Sequence, residues 1–214
     1  MPAPARRNGA LNMKLMHGKM SPFVRKVMVA AAEKGLASEL EIVPTAVGQG
    51  KINADLMRLN PIGKIPTLIT NQGESLYDSL VIIDYLDELR PQPRLIPPSG
   101  PQRRRALRLN AVGDGLLIAG VLAKGEMARP PERQWPELIQ AQWAKVVKCL
   151  EFLDAEIDAG STELTIGEIA AACALGWLGV RAPEEKWRDR HPGLAQCFAT
   201  FGDRPSMVSS RPGI

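Results

Sequence analysis

Histidine, cysteine and aromatic residues are all scarce in this chain, and each shortage closes off a class of function. The two histidines, His17 and His191, are too few and too far apart for a histidine-built metal centre. The three cysteines, Cys149, Cys173 and Cys197, are odd in number, widely spaced and set among apolar residues. Neither a disulfide framework nor a zinc spacing fits them, and a reducing cytoplasm is the expected setting. Aromatics make up only 5% of the chain, and none interleaves the dense basic run of Arg103, Arg104, Arg105 and Arg108. A nucleic-acid surface normally combines a basic stripe with rings on which bases stack, so this run reads as a solvated helix face. No apolar run reads as long enough to span a bilayer. Residues 1–12 lack the apolar stretch of a secretory leader and read as a disordered extension ahead of a domain that opens at Met13.

What is present suits a folded, helix-rich protein. The 214 residues are 45% hydrophobic and 23% charged, with 27 Lys and Arg against 23 Asp and Glu, a formal charge of +4. That length buries one large core or two small ones. Lys14 to His17 reads as a short strand. Ser21 is a good helix N-cap and Pro22 a good first helical residue; Val24, Val27, Met28 and Ala31 follow at helical spacing. Leu40 and Ile42 alternate with Glu39 and Glu41 as a second strand, so the opening is a strand–helix–strand unit that favours a parallel crossover. A polar stretch from Thr45 to Leu59 carries a weak helical signal. Thr67–Thr70 and Ser75–Tyr77 flank the turn Asn71-Gln72-Gly73-Glu74 and read as a hairpin, after which Asp78 and Ser79 open a helix.

Pro91, Pro93, Pro97, Pro98 and Pro101 then crowd a segment that can be neither helix nor central strand. It reads as a linker over 91–101 between an α/β domain over 13–90 and an all-helical domain over 102–214. Long helices are expected over Gln102–Met127 and Pro136–Ala159. A capping box at Thr165–Glu168 opens another, and a shorter one runs over Gly193–Phe201.

Four motifs in this order resemble the cytosolic glutathione S-transferase family, in particular its small bacterial serine-type members. They are Ser21-Pro22-Phe23-Val24-Arg25-Lys26-Val27, then Asn60-Pro61-Ile62-Gly63-Lys64-Ile65-Pro66-Thr67-Leu68, then Tyr77-Asp78-Ser79. The fourth is the pair formed by the capping box and His191-Pro192-Gly193-Leu194 with Arg204-Pro205-Ser206. The resemblance implies a thioredoxin-like N-terminal domain, a four-stranded mixed sheet built ββα onto βαβ, joined to an all-helical C-terminal domain. It implies a homodimer, with glutathione as co-substrate, no metal, and a small electrophile as second substrate. Its site residues would be Ser21 as the catalytic group, with Phe23, Lys64, Ile65, Pro66, Asp78 and Ser79 also binding glutathione, Ile65–Pro66 being a cis peptide. Lys51 is a weaker candidate than Lys64 for the glycyl carboxylate. Two positions depart from the family pattern: Asp78 where many members have Glu, and Glu168 where Asp is usual.

Ser21 reads as an N-cap on residue type alone; a hydroxyl donated to the glutathione sulfur is what the resemblance adds. Cysteine is absent from the loop, which excludes dithiol exchange through a protein thiol there. The wall facing the thiol is expected from Phe23 and the helix around Leu116–Leu122, where Gly113, Gly115 and Gly120 either widen a pocket or allow close helix packing. Trp177 reads as core. For the dimer, Met57, Leu59 and Ile62 form an apolar patch matched by Leu107, Ala111 and Leu117. A glutathione-fold interaction or regulatory protein without catalysis is the alternative function, and an RNA-associated role through Arg103–Arg108 a more distant one.

Overall fold

A computed structural model describes residues 11–158 and 164–211. Most of the expected N-terminal extension and Ala159, the expected end of one long helix, lie outside the described residues. Leu11 is described: it packs against the core, and its N–H donates to Glu39 Oε2 at 2.6 Å.

The N-terminal domain follows the expected order. Strand β1 (Met13–His17) leads into helix α1 (Pro22–Glu33), and β2 (Leu40–Pro44) returns parallel to β1. A short helix α2 (Ala54–Leu59) precedes the hairpin of β3 (Thr67–Ile69) and β4 (Ser75–Leu76), and α3 (Ser79–Leu89) follows. The sheet order is β2-β1-β3-β4, with β3 antiparallel to β1. The helical signal over Thr45–Leu59 is realised only in α2; Thr45 to Asn53 stays non-helical, as its Pro44 and Gly48-Gln49-Gly50 flanks favour.

This topology gathers the functional loops. The C-terminal ends of β1, β2 and β4 and the N-terminal end of β3 share one edge of the sheet. Leu68 pairs with Leu76; carrying that register two places further brings Asp78 opposite Pro66. The pairing of Met16 with Thr67 likewise sets the exit of β1 beside the same loop.

The C-terminal domain is helical: α4 (Gly100–Met127), α5 (Pro136–Glu156), α6 (Ile166–Arg181), α7 (Trp187–Arg190), α8 (Pro192–Gly202) and α9 (Pro205–Ser209). By length and composition α4 could cross a membrane, contrary to the expectation that no such run exists. Half of its most apolar stretch is nevertheless buried within the fold, as in the core helix of a globular protein. It crosses α6 at van der Waals distance. A Cβ on Gly113 would lie 2.9 Å from the Ala170 carbonyl carbon, and one on Gly120 2.6 Å from the Trp177 ring. These two glycines serve close helix packing. The α6 N-terminus carries the expected capping box: the Gly167 N–H donates to Thr165 Oγ1 at 3.1 Å and the Thr165 N–H to Glu168 Oε2 at 3.0 Å.

The proline-rich segment is tied down rather than slack. Asp87 accepts from the Leu95 and Ile96 N–H groups at 2.8 and 3.1 Å while pairing with the buried Lys34, and the Leu95 carbonyl accepts from Ile166 N–H. Of the basic run, Arg105 pairs with Glu168, Arg108 with Glu156, and Arg103 donates to the Pro97 carbonyl. These arginines therefore brace α4 against its neighbours. Near the C-terminus, Arg204 and Ser206 both donate to Glu33 at the end of α1, and the Asp154 carboxylate meets His191 and the Leu194 N–H.

The helix crossing makes a stability prediction. Gly113→Ala should cost about 1–3 kcal/mol, because its neighbour is backbone and cannot swing aside. At Gly115 a Cβ would meet open space, so Gly115→Ala should be neutral or gain up to about 1 kcal/mol from helix propensity. Denaturation midpoints check this, and equal midpoints for the two variants would contradict it.

Candidate functional site

The residues that open the site do so through helix-end chemistry. Ser21 is the N-cap of α1, in an extended conformation, and its Oγ accepts from the Val24 N–H at 3.3 Å. Its own N–H donates to the Gly18 carbonyl at 2.9 Å, closing the turn after β1. The capping bond uses a lone pair of the hydroxyl and leaves its proton available to a ligand. The exposed N–H groups of the first turn of α1 add positive potential at the same point.

Across from Ser21 stands the loop before β3. The Ile65–Pro66 peptide is cis, as the resemblance implied. Asn60, almost fully buried, holds this loop: its Nδ2 donates to the Lys64 carbonyl at 3.0 Å and to Thr67 Oγ1 at 2.9 Å, and its Oδ1 accepts from Ile62 N–H at 2.9 Å. Thr67 Oγ1 also donates to the Lys64 carbonyl at 2.9 Å. Asn60 was quoted in the motif but given no role from sequence; a buried Asn one residue ahead of a proline is the signal that could have found it.

Between the domains lies a cleft of about 760 Å³. Ser21, Phe23, Lys64 and Ile65 line it, together with Lys19, Val47 and Gln49 from the sheet domain. From the helical domain come Val121, Lys124, Gly125 and Ala128 of α4, on one helical stripe, and Trp177 and Arg181 of α6. The expected wall on α4, around Leu116–Leu122, meets the cleft only at its end, at Val121, and the lining continues to Ala128. Leu116 and Leu117 are fully buried among the helices, and the cleft face begins at Val121. Trp177 is core, as expected, and it also lines the cleft. Pro66, Asp78 and Ser79 are not among the lining residues, and nor is Lys51. Asp78 is exposed and caps α3, accepting from Leu80 N–H at 3.0 Å, while Ser79 is buried at the first position of that helix.

Burial, with Lys19 close by, pushes the His17 imidazole on β1 below its usual range. Burial pushes the Cys173 thiol up to about 11; like Cys149 and Cys197, it does not line the cleft. The cleft therefore offers a hydroxyl, a helix N-terminus and cations, and among the described residues no thiol or histidine side chain lines it. Among the described residues there is also no cluster of metal-ligating side chains. Such a set can hold and polarise an acidic group brought in by a ligand.

A family model for the glutathione S-transferase N-terminal domain matches residues 20–89, and one for the C-terminal domain matches residues 136–196. The chain belongs to the glutathione S-transferase family. It is 30% identical over 205 residues to the uncharacterized GST-like protein YibF of Escherichia coli K12, covering 94% of this chain and 98% of that protein. Among solved structures it resembles a glutathione transferase family member from Pseudomonas fluorescens Pf-5 with bound glutathione. The identity is 40%, the TM-score 0.91, and the match covers 94% of this chain and all of that one. A second structure of a Pseudomonas fluorescens Pf-5 family member, with bound S-(propanoic acid)-glutathione, matches at 38% identity and a TM-score of 0.87 over the same shares. As a member of this family, the chain has the expected thioredoxin-like sheet domain, and its Ser21 occupies the first turn after β1.

Proposed function

We propose that this protein binds glutathione along the β3 edge of the cleft and activates its thiol as a thiolate for attack on a small electrophilic molecule. The observation that carries this reading is the Ser21 hydroxyl, which caps α1 through a lone pair and opens onto the cleft with its proton uncommitted. Family membership and the glutathione-bound relative support the choice of ligand. A free thiol has a pKa of about 8.5 and is mostly protonated at neutral pH. A hydrogen bond to a charged partner contributes about 1.5–3 kcal/mol, which is one to two pKa units. The α1 dipole adds to it, so no histidine is required.

The remaining groups then take their parts. The Ile65 backbone pairs strand-like with the cysteinyl backbone of glutathione, Pro66 and Phe23 flanking it. Ser79 and the free N–H groups at the start of α3 receive the γ-glutamyl carboxylate, and Asp78 takes its ammonium. Lys64 reaches the glycyl carboxylate. The thiolate attacks an electrophilic carbon, an S–C bond forms, and the leaving group departs with its electron pair. On this reading the glutathione-binding domain spans 13–90, the linker 91–101 and the helical domain 102–214. The three unpaired cysteines suit a reducing cytoplasm.

The same reading includes a homodimer. Met57, Leu59 and Ile62 are exposed on the sheet domain, as the sequence suggested. The receiving face on α4 needs correction: Leu117 is fully buried in its own subunit, and the large apolar side chains exposed on α4 are Ile118, Val121, Leu122 and Met127, of which Val121 lines the cleft. Covering both patches by a two-fold contact buries each twice.

Two measurements check these proposals. Ser21→Ala should still bind glutathione, but the pKa of the bound thiol, read from thiolate absorbance, should rise by roughly one to two units; an unchanged thiol pKa would remove Ser21 from the chemistry. Light scattering at micromolar protein should give about twice the 23.3 kDa chain mass, and Ile62→Glu should shift it toward the monomer. A wild-type mass near that of one chain would exclude the dimer.

A further inference from the structure

The cleft holds more positive charge than glutathione requires. Lys19, Lys64, Lys124 and Arg181 line it, and no carboxylate side chain does among the described residues. Lys64 belongs to the glutathione loop, and Lys124 is paired with Glu184 at 2.9 Å. Lys19 and Arg181 are both exposed and form no ion pair among the described residues. Their charge is therefore open to a ligand.

Arg181 is also well placed. It is the last residue of α6, one turn beyond Trp177, so both side chains leave the same face of that helix. A small hollow beside the cleft is lined by Met20, Pro22, Trp177 and Arg181 together. Met20 and Pro22 are the two neighbours of Ser21. Arg181 thus borders the Ser21 loop from the helical-domain side of the cleft.

We propose that the second substrate is an electrophile bearing a carboxylate, held by Arg181 and Lys19 beside the reacting sulfur, with Trp177 and Val121 packing its apolar body. The inference rests on the glutathione reading above. A guanidinium presents paired donors that match a carboxylate. The α6 C-terminus carries partial negative charge, which opposes a dianion such as a phosphate monoester and leaves a monoanion as the better fit. The apolar walls of the cleft, Phe23, Val47, Val121 and Trp177, suit the uncharged remainder of a small molecule.

The test uses two glutathione conjugates of nearly equal shape, S-(2-carboxyethyl)glutathione and its neutral amide, S-(2-carbamoylethyl)glutathione, titrated into the full chain beside free glutathione. The carboxylate conjugate should bind roughly five- to tenfold more tightly than the amide. Arg181→Gln should bring that ratio near one while the affinity for free glutathione is unchanged, and Arg181→Lys should keep part of the preference. Equal affinities in the wild type would overturn the proposal. So would a preference that survives in both Arg181→Gln and the Arg181→Gln/Lys19→Gln double variant, even if the bound thiol pKa rises, since that would make Arg181 a thiol-activating group instead. If neither conjugate nor free glutathione binds, the glutathione reading itself fails, an outcome distinct from equal binding of the two conjugates.

Discussion

Lys26 is fully buried one turn into α1, and its ammonium meets Asn110 Oδ1 at 2.8 Å and Asp114 Oδ1 at 2.7 Å on α4. Asn110 in turn donates to Asp114 Oδ2 at 3.0 Å, so the cluster closes on itself. Burial pushes the Asp114 carboxyl above its ordinary range, against the pull of Lys26. A buried pair of this kind adds little net stability when compared with an apolar core, but removing one partner typically costs about 3–5 kcal/mol. Its consequence is orientation: α1 can dock on the helical domain only where Lys26 finds both oxygens. The same helix is also fixed by Arg25, which donates to the Met207 carbonyl, and by Glu33 at its end, which receives Arg204. The α1 N-terminus, and Ser21 with it, is thereby held facing the cleft that α4 and α6 complete.

That arrangement explains why the site needs so few reactive side chains. Four loops meet at one edge of the sheet because β1, β2 and β4 run in one direction while β3 runs against them. Two of those loops end in helix N-termini, capped by Ser21 and Asp78, and each brings N–H groups that favour negative charge. The third is locked by the buried Asn60. The helical domain adds charge and apolar walls but no nucleophile. On the proposed reading, the acidic proton that the chemistry uses belongs to the ligand, and the protein's part is to make its loss favourable.

Much of this was legible in the chain. Ser21-Pro22 and Asp78-Ser79 are cap signals whose local meaning does not depend on the rest of the fold, and the capping box at Thr165–Glu168 and the proline cluster mark boundaries in the same way. Three features were not. Lys26 gave no sign of burial, since lysine is among the residues least often found inside. The stretch of α4 that meets the cleft overlaps the expected one only at Val121, because apolar and small residues run around most of that helix, so periodicity does not select one side. Arg181 belongs to no local motif; only the crossing of α6 over the Ser21 loop reveals what stands beside it.

The central claim is that the Ser21 cleft is a glutathione site completed by Asp78 at the start of α3. Isothermal titration of the full chain with glutathione tests it most directly. The account predicts saturable binding of one glutathione per chain, weakened by about 2 kcal/mol or more in Asp78→Ala, as expected for loss of a charge-paired contact. No detectable binding at millimolar glutathione, or an Asp78→Ala variant that binds as the wild type does, would contradict it.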